Sequence, residues 1–208
     1  MSTLPFREQV RREVIRALQA ATLTLVERHG FAAITVDDIA AEAGVSRRTF
    51  FNYFPTKAAA LFDPDPEDAE RLAQLLADAD GAPDLWSALH QVCTAFVAGH
   101  ENVIAVRRRL IEQDPELDQY HRTAHHHVEV ALHQWTVHQP GSDPYLAALA
   151  ANTAATILTT SFAAWKPDQD PAALIHLVDR AFELVSTGFS QQPDAQRRRR
   201  TTKSEAAR

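Results

Sequence analysis

Residues 34–57 read ITVDDIAAEAGVSRRTFFNYFPTK, and the order of caps, glycine and aromatics in this stretch decides what the rest of the chain can be. Thr35 is followed three residues later by Asp38, the spacing of a capping box, so a short helix is expected to start at Val36 and to bury Ile39, Ala40 and Ala43. Gly44 stops it, because glycine alone takes the left-handed conformation without cost and lets the chain swing sharply. One apolar residue, Val45, and a new N-cap, Ser46, then open a second helix from Arg47 to about Phe54, which makes the unit a helix-turn-helix. Phe50 and Phe54 lie four apart and are expected to face the core, while Arg47, Arg48, Thr49 and Asn52 present the groups that read base edges and grip phosphates. Arg47 and Arg48 are the candidates for base contacts, since a guanidinium forks onto guanine in the major groove, and Phe51 is the candidate for a thymine methyl. Thr35, Ser46, Thr49, Asn52, Tyr53 and Lys57 are assigned to phosphates, with a base as the alternative for Asn52.

The run TVDDIAAEAGVSRRTFFNYFPTK resembles the DNA-binding signature of the TetR family of bacterial transcriptional regulators, and the similarity spans about residues 10 to 62. The resemblance implies that the helix after Ser46 enters the major groove and that Lys57 anchors a phosphate. It departs from the family's habit at Phe51 and Asn52, where Tyr or His is common. It further implies an all-α protein: a three-helix helix-turn-helix DNA-binding domain over residues 1–55, a larger helical ligand-binding and dimerisation domain over 56–190, and a basic tail over 191–208. Such a protein is expected in the cytoplasm as a homodimer paired through the helices near 144–165 and 171–189. It binds a palindromic double-stranded operator, most often as a repressor, and a small-molecule effector releases it.

Composition agrees with a helical globular chain. Of 208 residues 45% are hydrophobic and 23% charged, and only six are glycine, which excludes fibrous and disordered classes. The net charge of −6 argues against nucleic acid until its distribution is read. Residues 1–60 carry 8 Lys and Arg against 6 Asp and Glu, residues 61–189 carry 7 against 19, and residues 190–208 carry 6 against 2. The acidic excess therefore belongs to the middle of the chain and leaves the N-terminal part mildly basic. A lone Cys93 excludes an intrachain disulfide and suits a reducing compartment, and the N-terminus lacks the apolar run of a signal peptide. The uncharged run Pro144 to Trp165 has transmembrane length, but Asn152, four threonines, Ser161 and many alanines mark it as a buried bundle or interface helix, so no membrane partner is expected.

Around the central stretch, residues 5–29 form an amphipathic helix whose Arg7, Arg11, Arg12 and Arg16 either approach the DNA backbone or form a solvated face balanced by Glu8 and Glu13. Asp63-Pro64-Asp65-Pro66 breaks the chain between its two parts. Helices are then expected over 67–79, 84–100, 101–113, 115–138, 144–165 and 171–189. Trp86, His90, Cys93, Phe96 and Val97 form a stripe at steps of three and four, which is core or, on the resemblance, the wall of a ligand pocket. Arg107, Arg108 and Arg109 beside Leu110 and Ile111 are unusual in an acidic region, and one of them is a candidate for an anionic ligand group; Arg107 and Ile111 join the pocket set. Residues 100–189, through RRRLIEQDPEL and the alanine-rich helix, resemble more weakly the TetR regulators with an acyl-CoA-like ligand-binding domain.

His121 and His125, four apart, with His126, His127, Glu129 and His133 nearby, have the spacing of a metal pair, but the ordinary reading is a polar helix face or a pocket wall, and neither a metal nor a cofactor is assigned. No nucleophile elbow, phosphate loop or paired-carboxylate arrangement points to an enzyme. The alternatives are a small-molecule or metal sensor whose helix-turn-helix serves protein contacts, and a DNA-binding protein without a ligand.

Overall fold

The computed structural model describes residues 6–170 and 172–187, and among them every regular element is a helix. In chain order these are α1 (Phe6–His29), α2 (Val36–Glu42), α3 (Arg47–Tyr53), α4 (Lys57–Phe62), α5 (Pro66–Asp78), α6 (Leu85–Val97), α7 (Glu101–Gln113), α8 (Asp118–Val137), α9 (Pro144–Ala164) and α10 (Ala172–Thr187). The starts agree with the sequence because they are set locally. Thr35, Ser46, Thr56, Asp65, Asp84 and Asp143 each accept a first-turn backbone N–H. Two expectations shift. The helix expected from Pro115 opens as a single 3-10 turn, Pro115–Leu117, and becomes α-helical only at Asp118; the helix expected to reach His100 ends at Val97, ahead of Gly99 at φ +85°. The basic tail over 191–208 and the outer ends of the last expected helix lie outside the described residues.

The helices enclose two hydrophobic cores. The first gathers Leu18, Leu25 and Val26 of α1, Ile39 of α2, Phe50 of α3 and the alanines, Leu61 and Phe62 of α4, and it continues into Val106, Leu110 and Ile111 of α7 and Phe162 of α9. The second packs α5, α6, α8, α9 and α10 around Leu72, Leu89, Leu132, Leu158, Val178 and Phe182. The small helix-turn-helix is thus built onto the larger bundle through α4 and α7 and shares core with it. A fully buried leucine or phenylalanine in either core is worth about 2–3 kcal/mol of burial.

Of the described helices, α9 is the one long and apolar enough to cross a membrane, but Ala147, Ala151, Ala154, Ala155, Leu158 and Phe162 line its inner face and are buried. Its small side chains let α8 and α10 approach closely. The outer face of α9 exposes Tyr145, Leu146 and Leu149.

The Asp63–Pro66 break is pinned from both sides. Gln19 Nε2 of α1 donates to the Asp63 carbonyl at 2.8 Å, and Arg107 Nε of α7 donates to the Leu61 carbonyl at 2.9 Å. Two of the four arginines on the polar face of α1 turn to α5: Arg12 pairs with Glu70, and Arg16 pairs with Glu67 at 2.7 Å, tying the two units together. Arg7 and Arg11 stay exposed, and Arg11 pairs with Glu8 at 3.5 Å as on a solvated face.

Candidate functional site

Two surfaces carry the sequence-derived candidates. The first is the exposed face of α3. The capping box of α2 forms as expected, with Thr35 N donating to Asp38 Oδ2 at 2.8 Å and Asp38 N donating to Thr35 Oγ1 at 3.2 Å; the Thr35 hydroxyl first, and then its backbone N–H, hold the Asp38 carboxyl below its usual range. Gly44 sits at φ +69°, and Val45 N reaches back to the Ala40 carbonyl at 2.9 Å, closing the turn. Ser46 caps α3 by accepting from Thr49 N at 3.0 Å. Phe50 is fully buried and Phe54 nearly so, which leaves Arg47, Arg48, Phe51 and Asn52 on the open side, Phe51 at 46% exposure.

The polar groups of this face are not equally available. Arg48 has no ion pair among the described residues, whereas Arg47 is paired with Asp37 at 2.6 Å and lies 5.3 Å from the Phe51 ring centroid. The Thr35 hydroxyl donates to Asp38 at 2.6 Å, and the Ser46 and Thr49 hydroxyls bond each other at 2.8 Å. Lys57 is turned inward: its ammonium donates to the carbonyls of Phe31 at 2.7 Å and Ile34 at 2.9 Å, 4.5 Å from the Phe31 ring centroid. It therefore closes the loop between α1 and α2 and keeps one N–H for another partner.

The second surface is a cavity of about 90 Å³ enclosed by the end of α4, α5, the end of α6, α7, α8, α9 and the start of α10. The structure divides the expected pocket set here. Phe96, Val97 and Arg107 line the cavity; Trp86, His90, Cys93 and Ile111 do not. Trp86 and His90 turn to α10, where both rings sit 4.7 Å from Phe182, Trp86 bonds Ser186 at 2.7 Å and His90 bonds Asp179 at 2.7 Å. Cys93 is core, its thiol pushed up to about 12 by burial and so unreactive, and Ile111 belongs to the first core. The reason is register: one helical stripe meets α10 along most of its length, and only its last turn reaches the first half of α8.

The histidines of α8 supply the wall in place of that stripe. His121, His125 and His127 all line the cavity, together with His100 from the loop before α7. His121 stacks on Phe162 at 3.9 Å and meets His125 edge-on at 5.1 Å. Burial pushes the His121 pKa down to about 3, and burial with the neighbouring His127 lowers that of His125, so both rings are neutral. Arg71 was not among the expected pocket residues. It forks onto the carbonyls of Ala95, Phe96 and Ala98 at the end of α6, and its standing as the one basic residue of an acidic helix was the available signal. No group of three or more metal-ligating side chains converges among the described residues.

Of the three adjacent arginines only Arg107 reaches the cavity; Arg108 bonds the Ala163 carbonyl at 3.1 Å and Glu112 at 3.3 Å, and Arg109 is exposed. An open cleft of about 590 Å³, bounded by α1, α5 and α7, adjoins the cavity and shares Asp68, Arg71, His100, Ile104 and Arg107 with it. A volume that runs from the middle of the bundle to the first helix of the helix-turn-helix unit can take an amphiphilic molecule and feel its presence at both units.

Residues 18–63 match the family model of bacterial regulatory proteins of the tetR family. MftR of Mycobacterium tuberculosis, a transcriptional regulator provisionally named for mycofactocin biosynthesis, is 27% identical over 174 residues, 81% of this chain and 87% of that protein. Among solved structures, the Thermus thermophilus TetR-family repressor FadR in complex with lauroyl-CoA shares the fold with a TM-score of 0.51 and 22% identity, over 82% of this chain and 92% of that one. A chain from Syntrophomonas wolfei assigned to the TetR-family regulators does so with a TM-score of 0.59 and 16% identity, over 86% and 97%. The matched helix-turn-helix is thus carried on the fold that these chains share, and over residues 18–63 the protein is similar to the TetR family of transcriptional regulators.

Proposed function

We propose that the protein is a homodimeric, effector-released repressor of the cytoplasm, with residues 1–55 reading a palindromic operator and residues 56–190 binding the effector and the second subunit. Arg48 is the principal base reader, Arg47 joins it by exchanging Asp37 for a guanine edge, and Phe51 covers a thymine methyl. Ser46, Thr49, Asn52, Tyr53 and Lys57 hold phosphates, Lys57 through its remaining N–H, and Thr35 joins them by turning its hydroxyl from Asp38 to a phosphate oxygen. Dimerisation through α9 and α10 buries Tyr145, Leu146 and Leu149 and sets two reading helices one helical turn of DNA apart.

The observation that carries this reading is the double hold on the end of α4. Gln19 grips it from the helix-turn-helix unit and Arg107 from the cavity wall, while Phe62 of α4 lines the cavity itself. An effector that displaces Arg107 or Phe62 shifts α4 and with it the spacing of the two reading helices, without touching DNA. The effector is small and lipophilic or acyl-CoA-like, a class supported by the shared fold of the lauroyl-CoA-bound FadR and by the apolar share of the cavity lining.

Footprinting of the DNA flanking the protein's own gene, with and without acyl-CoA and lipophilic ligands, tests it. A protected palindrome that one ligand releases is the expected result. Absence of any bound sequence in a genome-wide selection of fragments overturns it.

A further inference from the structure

The polar lining of the cavity says more about the effector than its apolar share does. Of three arginines near the region, Arg108 is paired with Glu112, and Arg71 has its two Nη atoms forked onto three carbonyls, with its buried Nε left without a partner. Arg107, like Arg71 without a carboxylate partner among the described residues, is held more loosely. Its Nε donates to the Leu61 carbonyl at 2.9 Å, but Nη2 meets the Asp63 carbonyl only at 3.5 Å, and it has no carboxylate within 4.0 Å among the described residues. Burial lowers its pKa although Asp68 and Asp63 act in the opposite direction. A desolvated guanidinium whose nearest carboxylates, Asp68 and Asp63, stay beyond ion-pair distance has room for a closer counter-charge.

Four imidazoles of the wall have a buried nitrogen without a partner, Nδ1 of His100 and His125 and Nε2 of His121 and His127, and the His121 and His125 rings are neutral. A neutral ring can turn an N–H toward an oxygen without competing for the charge of Arg107. Among the described residues the wall's one carboxylate, Asp68, is engaged by His100 at 3.2 Å, which leaves Arg107 and the two neutral rings to a ligand beside Phe62, Leu158 and Phe162. That set is complementary to a planar anion on a small apolar body.

Resting on the reading of this cavity as the effector site, we propose that the effector is an amphiphilic monocarboxylate, its carboxylate held by Arg107 with His121 and His125 beside it, and its apolar body against Phe62 and Phe162. Size sets the length. An apolar cavity of ~150 Å³ holds the six carbons of benzene, so the 90 Å³ here takes a body of about three to four carbons, and a longer chain passes into the adjoining cleft. Arg107 also borders the open cleft, so the carboxylate stands at the junction of the two volumes. Its binding competes for the guanidinium that otherwise holds the end of α4.

The test uses the full-length protein and pairs of ligands matched in shape: butanoate against 1-butanol and butanamide, hexanoate against 1-hexanol and hexanamide, and hexanoyl-CoA and dodecanoyl-CoA as thioester arms. Thermal unfolding reads binding, and fluorescence anisotropy of bound operator DNA reads release. The expected result is a melting-temperature rise and operator release with the acids, with at least a tenfold weaker response to the neutral analogues. Arg107→Gln removes the acid response, Arg107→Lys restores part of it, and Arg109→Gln on the exposed side of the same helix changes nothing. Equal response to acids and neutral analogues overturns the carboxylate assignment, as does a response to the thioesters alone; both leave the regulator reading standing. No response to any acid overturns it too. Failure of the unliganded protein to bind any DNA overturns the regulator reading, while the melting series still judges the ligand chemistry. Because the ligand pairs are compared on unaltered protein, a variant that fails to fold leaves that comparison intact.

Discussion

The helix-turn-helix and the larger bundle are both helical, yet they are held together at different ranges along the chain. In the first, the deciding contacts are short: the capping box joins residues 35 and 38, the N-cap joins 46 and 49, and the Arg47–Asp37 pair spans ten positions. In the second, Trp86 meets Ser186, His90 meets Asp179 and Arg108 meets Ala163, across separations of 100, 89 and 55 residues. A motif made of local contacts carries its structure wherever it is placed. A cavity made of distant ones exists only once all its walls have docked. The difference also explains why the matched family model covers residues 18–63 and stops near the end of α4.

The largest expected effect tests whether the two regions stand or fall together. Phe50→Ala removes a fully buried ring from the first core and should cost about 3–5 kcal/mol in urea unfolding. Because that core runs on into α7 and α9, hydrogen exchange should show loss of protection in α2 to α4 first; uniform loss across α9 and α10 would mean that the units are one cooperative body.

Next comes the reading face. Arg48→Ala should weaken operator binding by about 1–3 kcal/mol and relax specificity at its base. Arg47→Ala should cost less, because Arg47 must first leave Asp37. Unchanged anisotropy for both variants would remove α3 as the reader.

The third prediction concerns the bundle's buried imidazoles. His121 is neutral in the folded protein, with its pKa down to about 3, against 6.5 when free. Between those values the unfolded chain binds the extra proton, so folded stability falls as pH drops through the window. From pH 7 to pH 5 this ring should cost about 2 kcal/mol. His121→Phe should flatten the pH dependence of denaturation by that amount, and an unchanged slope would place the titration elsewhere. The smallest effect belongs to the local motif: Thr35→Ala removes the cap of α2 and should lower stability by about 1 kcal/mol, while Thr153→Ala on α9, which bonds only its own helix, should do far less.

Legibility in the sequence divides along the same line. The caps, the turn glycine and the Phe50 and Phe54 spacing placed α2 and α3 almost to the residue, and the prolines and aspartates that open α5, α9 and the turn at Pro115 placed the later helices. The α8 histidines were visible as a cluster, but only packing against Phe162 made two of them neutral wall residues. The stripe Trp86, His90, Cys93, Phe96 and Val97 was visible as a face, but periodicity gives a direction and not a neighbour. Lys57 was visible as a cation just after α3, and only the folded loop revealed the Phe31 and Ile34 carbonyls on which it rests.

By itself, then, the chain's order of residues determined the all-helical architecture, the helix-turn-helix and the face of α3 that is offered outward, since caps, glycine and helical period act within a few residues of where they stand. The tertiary structure alone decided that Arg107, among three adjacent arginines, reaches the cavity, that α1 is tied to α5 by Arg12 and Arg16, and that Phe62 belongs to both the core and the cavity wall. Those choices depend on the angles at which helices cross and on where each one ends. Both are settled by the packing of residues distant in sequence, through many weak contacts that no single stretch of the chain contains.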